Sequence, residues 1–238
     1  MSCQSNRGFT LVEMAVVMAI ISLLLGGLLI PLGTQLENRR IKDTERQLAT
    51  IREALMGFAI SSPNGRLPCP DNDGDGLEDP AIPESMASCA QLEGELPWIT
   101  LGLARADAWG RPFRYAPDTA YADTTGIPSP PDTESGLMVR DYDGDFLTDT
   151  TPASPSGSSN SPPNGPAAIL FSCGQDGVPN GENDNDNILN TNADCANSGV
   201  SDGVYTAGLS KEGSFDDIVI WLSRNTLLNR LVAAGAWP

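Results

Sequence analysis

Arg7-Gly8-Phe9-Thr10-Leu11-Val12-Glu13 opens an apolar run that lasts to Leu32 and holds a single charged residue, Glu13. About 24 residues at a rise of 1.5 Å make a helix of roughly 36 Å, enough to cross a bilayer core of about 30 Å. A secretory signal peptide has a shorter apolar stretch with a small-residue cleavage site behind it. Here Gly33-Thr34-Gln35-Leu36-Glu37-Asn38-Arg39-Arg40 follows, and it offers no such site. The change of character lies in front of the run, between Gly8 and Phe9. An acidic residue within a membrane helix costs about 2.5–3.5 kcal/mol at mid-span. Glu13 is therefore expected either to have a partner or to snorkel to water.

The amphipathic pattern continues past the apolar run. Ile41, Leu48, Ile51, Leu55 and Phe58 form one helical stripe, with Lys42, Glu45, Arg46, Arg52 and Glu53 around it. The expectation is one long helix from about Phe9 to about Ser61, apolar all round in its first half and packed on a globular domain by its second. Pro31 cannot donate to the carbonyl of Gly27 and should loosen that turn. Ser61-Ser62-Pro63-Asn64-Gly65 is a stop signal.

Charge and composition narrow the function. The chain carries a net charge of −17, so a nucleic-acid partner would be repelled. It has no histidine, which removes Ser-His-Asp and Cys-His catalysis and His-ligated zinc or haem. An enzyme working through paired carboxylates is the remaining catalytic class. The acidic residues, however, cluster in Asp-Gly turns rather than in apolar settings that would raise a pKa. No enzymatic activity is expected.

A polar leader ending in Gly, then Phe-Thr-Leu-Val-Glu and a long apolar helix, resembles the type IV prepilin family, which includes pilins and the pseudopilins of type II secretion. That resemblance implies a membrane-embedded prepilin peptidase that cuts between Gly8 and Phe9, and N-methylation of Phe9. It implies that Glu13 pairs with the amine of a processed Phe9 on a neighbouring subunit and sets the register between subunits. It places the N-terminus in the cytoplasm, although Arg39, Arg40 and Lys42 against a lone Arg7 weakly favour the reverse. The implied organisation is a cleaved leader (1–8), a transmembrane and assembly half of the helix (9–32), an amphipathic half (33–61), and a periplasmic or extracellular head (62–238). The fold class is α+β and pilin-like: the helix packed on a small antiparallel sheet with loop-rich, disulfide-stapled insertions. The implied partners are other pilin or pseudopilin subunits, the peptidase, an inner-membrane assembly platform and membrane lipid.

Cys3 falls in the leader. Cys69, Cys89, Cys173 and Cys195 permit three connectivities. The local pairs Cys69–Cys89 and Cys173–Cys195, each stapling a loop, are expected over free thiols or a metal site, since no CxxC spacing is present.

Asp71-Asn72-Asp73-Gly74-Asp75-Gly76 with Asp79 has the first half of an EF-hand loop: oxygen ligands at positions 1, 3, 5 and 9 and glycine at 6. Position 12 is Ile82, with Glu84 as a substitute; the bland reading is a solvated acidic turn. Asp141, Asp143, Asp145 and Asp149 repeat the spacing with Phe146 in place of the glycine. Asp107-Ala108-Trp109-Gly110-Arg111-Pro112-Phe113-Arg114-Tyr115 resembles a segment of the major pseudopilin of type II secretion, a turn into the first strand of its sheet. Trp98 and Trp109 are expected in the core. Leu137–Arg140 is a short strand, and 150–166 a low-complexity loop. Ala167–Gly174 reads as a strand. It runs into an acidic loop that is again similar to the major pseudopilin, where calcium is bound. The resemblance implies calcium ligands at Asp176, Asn180, Glu182, Asp184 and Asp186. A last strand over Phe215–Leu222 leads to a helix from Arg224 to Ala234 with Leu227, Leu228, Leu231 and Val232 facing the sheet.

The chain thus reads as a structural subunit of a type IV pilus or type II secretion filament, with an adhesin or ligand-binding tip subunit on a pilin stem as the alternative.

Overall fold

The computed structural model describes residues 8–80, 89–127, 136–148, 165–180, 183, 195, 203–208 and 215–236, with the backbone alone over 25–32. Glu84, Asp149, Glu182, Asp184, Asp186 and the loop 150–164 lie outside the described residues. Helix α1 runs unbroken from Leu11 to Ser61, past Pro31. Contacts divide the chain into two units, Met1–Lys42 and Asp43–Pro238.

The first unit holds the apolar half of α1. Its large side chains are exposed, with Leu11 at 88% and Leu23 at 78%. Among the described residues no helix is long and apolar enough to cross a membrane. The described side chains of the apolar run stop at Leu24.

The second unit is a three-layer α+β domain. Its sheet has the order β1 (Gly94–Glu95), β2 (Arg114–Pro117), β4 (Pro166–Ser172), β6 (Ile218–Ser223), antiparallel throughout. Side chains alternate across it, as a pleated strand requires. Tyr115, Ala168, Leu170 and Leu222 pack on one face against Leu48, Ile51, Leu55 and Ala59 of α1 and Leu227 and Leu231 of α4 (Arg224–Ala234). Ala116, Ile169 and Phe171 pack on the other face with Val139, Tyr205 and the Cys173–Cys195 bridge. That outer layer includes a parallel pair, β3 (Met138–Arg140) and β5 (Val204–Thr206). Strand β4 is buried along its whole length, which is why it reads as a continuous apolar run.

Leu48, Ile51 and Leu55 of the expected stripe on α1 pack in the core, whereas Ile41 and Phe58 are half-buried and belong to neither core cluster; Thr44 joins the packed face, fully buried, its hydroxyl accepting the Ala108 N–H at 3.3 Å. Gly65 at φ 69° turns the chain after the helix. The disulfides join Cys69 to Cys89 and Cys173 to Cys195, with Cα separations of 5.3 and 6.0 Å.

Four expectations are corrected. The last strand starts at Ile218, because Asp216 and Asp217 are held by side-chain hydrogen bonds to the 176–183 segment. Val232 is 53% exposed, since Leu227 and Leu231 form the buried stripe of α4 and Val232 lies about 140° round the helix from Leu227. Trp109 is half-buried and belongs to neither core cluster, whereas Trp98 packs against the first. The segment after Asp107 feeds the second strand of the sheet, the first being the two-residue β1.

Candidate functional site

Two regions carry chemistry. At the N-terminus, Thr10 precedes the first residue of α1 and Glu13 is the third residue of the helix. The Glu13 N–H donates to the Thr10 hydroxyl at 3.2 Å, and the Thr10 N–H reaches back to the Glu13 carboxylate at 3.5 Å. The pair closes a capping box, the S/T-x-x-E device that satisfies two donors left open at a helix start. Glu13 also places a negative charge in the first turn, where the helix dipole favours it. Thr-x-x-Glu was present in the sequence as a signal for this, and reading Glu13 only as a membrane carboxylate passed over it.

The second region is the acidic end of the sheet. Asp217 is 1% exposed. One oxygen, Oδ2, accepts the Asn180 N–H at 2.7 Å and the Asn183 side-chain amide at 2.8 Å. Its other oxygen, Oδ1, is buried and meets no hydrogen-bond donor among the described residues. Burial pushes the Asp217 carboxyl up to about 8; the Asn180 and Asn183 hydrogen bonds oppose this, and the charges of Asp216 and Asp176 add to it. Asp216 is also raised, by burial first. Its N–H donates to Asn180 Oδ1 at 2.9 Å, and its Oδ2 accepts the Asp176 N–H at 3.0 Å. A Cβ on Gly174 would meet the Asp216 carbonyl oxygen, so glycine is required for this approach.

Of the residues expected here, Asp176 and Asn180 are brought together. Sequence reading missed Asp216, Asp217 and Asn183. The missed carboxylates lie just before β6, with Asp216 40 residues beyond Asp176, and the sheet register that pairs Ser172 with Ile218 closes that gap.

The turn at 71–79 is organised differently. Asp71 is 1% exposed and its two oxygens accept the Gly74 and Gly76 N–H groups, each at 2.7 Å. Asp79 accepts the Asn72 N–H at 2.7 Å. Oxygens of Asp71, Asp73 and Asp79 lie within 4.8 Å of one another. Asp75 is not in this group: its carboxylate accepts the Leu77 N–H at 2.7 Å and is turned to the surface. The turn borders a cavity of about 220 Å³ whose walls include Arg105 and Arg114. The carboxylates here are largely occupied by their own backbone, and an arginine pair stands beside them. Asp141 likewise accepts the Asp143 and Asp145 N–H groups, and no metal-sized group forms there among the described residues.

The 107–115 segment is structural. Asp107 accepts the Trp109 and Arg111 N–H groups, both at 2.9 Å, and the Ser172 hydroxyl of β4. Gly110 sits at φ 84° in the turn. Arg114 then enters the sheet 2% exposed and pairs with Glu93 at 2.8 Å, and the Tyr205 hydroxyl donates to the same carboxylate at 2.7 Å.

Residues 3–29 match the prokaryotic N-terminal methylation motif, typical of type IV prepilins and pseudopilins. The chain carries a prepilin-type N-terminus. The match takes in Gly8, Phe9, Thr10 and Glu13 and ends within α1; it does not extend to 107–115 or 169–188. No curated protein and no solved structure matches the chain. The architecture behind the motif, a long N-terminal helix on an antiparallel sheet with two disulfides, is pilin-like.

Proposed function

We propose that this prepilin-type chain is a structural subunit of a type IV pilus or type II secretion filament. Prepilin peptidase cuts between Gly8 and Phe9, Phe9 is N-methylated, and the apolar half of α1 (9–32) holds the subunit in the inner membrane until the assembly platform draws it into the filament. There the exposed Leu, Ile and Val side chains of neighbouring helices pack together, and Glu13 pairs with the new amine of Phe9 on the next subunit. The single observation that carries this reading is the motif match at 3–29, a span that includes Gly8, Phe9 and Glu13.

Calcium is proposed at Asp217, with Asp176, Asp216, Asn180 and backbone carbonyls as further oxygen donors that would have to draw in around the ion, since the three carboxylates do not converge within 4.8 Å among the described residues. Support comes from Asp217 Oδ1, which is buried and has no partner among the described residues: a divalent cation would let that carboxylate ionise. The Asp71–Asp79 turn, where the oxygens of Asp71, Asp73 and Asp79 do converge, is the other candidate.

The test is intact mass and N-terminal sequencing of membrane-extracted protein from cells with and without the peptidase. A chain starting at N-methyl-Phe9 only when the peptidase is present is expected, and Gly8→Ala should abolish it. An unprocessed chain in both would overturn the reading. A tip subunit binding an external ligand is the second reading, favoured by the exposure of Tyr142 and Phe146 (54% and 45%).

A further inference from the structure

Three of the exposed large apolar side chains of the second unit sit on one turn. In the loop after β3 every residue from Tyr142 to Leu147 is exposed, and Tyr142, Phe146 and Leu147 are 45–54% exposed. The turn is braced. One Asp141 oxygen accepts the Asp143 and Asp145 N–H groups at 3.0 and 2.8 Å. The Asp141 N–H donates to the Asp145 carbonyl and the Leu147 N–H to the Val139 carbonyl, both at 2.8 Å. Gly144 makes the bend at φ 91°. Aromatic side chains held in the open on a braced turn bury only part of their surface at home, so packing does not account for them. A surface of this kind marks a contact with another molecule, and its pre-ordering lowers the entropy lost on binding.

Charge decides what that molecule is. Asp143 and Asp145 are exposed on the same turn, and their carboxylates make no ion pair among the described residues. Tyr142 lies edge-on to Phe215, ring centroids 6.1 Å apart, and Phe215 adjoins Asp216, so the turn stands beside the acidic end of the sheet. The whole chain carries −17. An anion is repelled here, and a purely apolar partner would cover two carboxylates without pairing them. The Phe146 ring already has a cation on it: the Arg140 guanidinium lies 4.6 Å from its centroid. A guanidinium is planar, stacks on an aromatic face and offers a fork of donors to a carboxylate, whereas a lysine ammonium is a point charge. Rings and carboxylates on one turn therefore suit arginine.

We infer that the Tyr142–Leu147 turn binds an arginine-bearing segment of another protein, its guanidinium groups stacking on Tyr142 and Phe146 and pairing with Asp143 and Asp145. The inference rests on the tip-subunit reading and deepens it by naming the chemistry of the ligand.

The test uses the full-length chain in phosphatidylcholine nanodiscs with chelator, at about 0.15 M salt, where exposed charges more than about 8 Å apart are screened. The probe is a fluorescent hexa-arginine peptide followed by anisotropy, with hexalysine and hexaglutamate beside it. Hexa-arginine should bind more tightly than hexalysine, and hexaglutamate not at all. Tyr142→Ser with Phe146→Ser leaves the charge unchanged and should weaken hexa-arginine about fivefold or more. Asp143→Asn with Asp145→Asn should do the same, while Glu45→Gln with Asp75→Asn removes equal charge elsewhere and should change binding less than about twofold. Phe146→Trp should keep or tighten binding, because tryptophan is the best ring for a cation; a misfolded variant would not. Hexa-arginine binding that ignores the aromatic pair, or that falls equally with the Glu45 and Asp75 pair, would be general attraction to an acidic chain and would overturn the inference. Binding of maltohexaose or chitohexaose that is lost with the aromatic pair, without hexa-arginine binding, would overturn it and leave the tip-subunit reading standing. Binding of neither peptide nor sugar would overturn both.

Discussion

The Asn183 side-chain amide donates to Oδ2 of Asp217 at 2.8 Å while Oδ1 of the same carboxylate is buried and meets no donor among the described residues. A carboxylate so placed is half-satisfied. It is relieved either by a proton or by a cation. Calcium added to the chelator-treated chain should therefore raise its melting temperature, and chelator should lower it again. Asp217→Asn should remove most of that response, whereas Asp73→Asn should leave it intact. An unchanged melting transition across the titration would dismiss the bound ion. A response lost with Asp73→Asn and kept with Asp217→Asn would move the site to the Asp71–Asp79 turn.

The pH dependence of the chelator-treated protein follows from the same residue. The folded pKa of Asp217 is raised from 3.8 to about 8. Between those values the folded state holds a proton that the unfolded state has released. Stability contributed by this group is thus present below the unfolded pKa and is lost as pH rises toward 8, with a limiting slope of roughly 1.4 kcal/mol per pH unit. Urea unfolding of the wild type minus Asp217→Asn, taken from pH 5 to 8, should show a difference falling with pH. With calcium bound the fall should flatten. A difference that grows with pH would contradict the protonated assignment.

Glu13 has two jobs on the present account, and they separate by substitution. Glu13→Gln keeps an acceptor for the capping box but removes the charge. Glu13→Val removes both, at about 0.5–2 kcal/mol for the lost cap. Hydrogen exchange over 10–14 should be close to wild type in Glu13→Gln and faster in Glu13→Val, while both enter filaments poorly. Normal assembly of Glu13→Gln would restrict Glu13 to its role in the helix start.

Arg114 and Glu93 are buried together, each 2% exposed. Arg114→Met strands the Glu93 charge in the domain interior and should cost about 3–5 kcal/mol in urea unfolding. The double change with Glu93→Gln should recover part of that loss. Equal destabilisation by single and double variants would mean that the guanidinium acts through its packing alone.

The long helix and the central strand were legible because burial leaves a period in the sequence. Leu48, Ile51 and Leu55 recur at helical spacing, and Ala167–Phe171 is apolar on both faces. The disulfides were legible because neighbouring cysteines close short loops. The Asp216–Asp217 pair was not. Next to Ile218 it reads as the polar lead-in of a strand, and its partners Asn180 and Asn183 are distant in sequence. Arg114 looks like a surface residue of β2 until Glu93 and Tyr205 are seen around it. Strands β1 and β5 are two and three residues long, below the length at which alternation can be recognised.

The box formed by Thr10 and Glu13 has a consequence for whatever enzyme meets this terminus. A proteolytic site must accept its substrate as an extended chain, and a helix withholds its bonds from one. By stopping the helix at Leu11, the box leaves the Gly8–Phe9 bond in non-helical backbone, two residues clear of the first turn. On the proposed processing, Thr10 and Glu13 act as a boundary post: they set how far the rigid rod reaches, and so which peptide bond the peptidase would meet as extended chain.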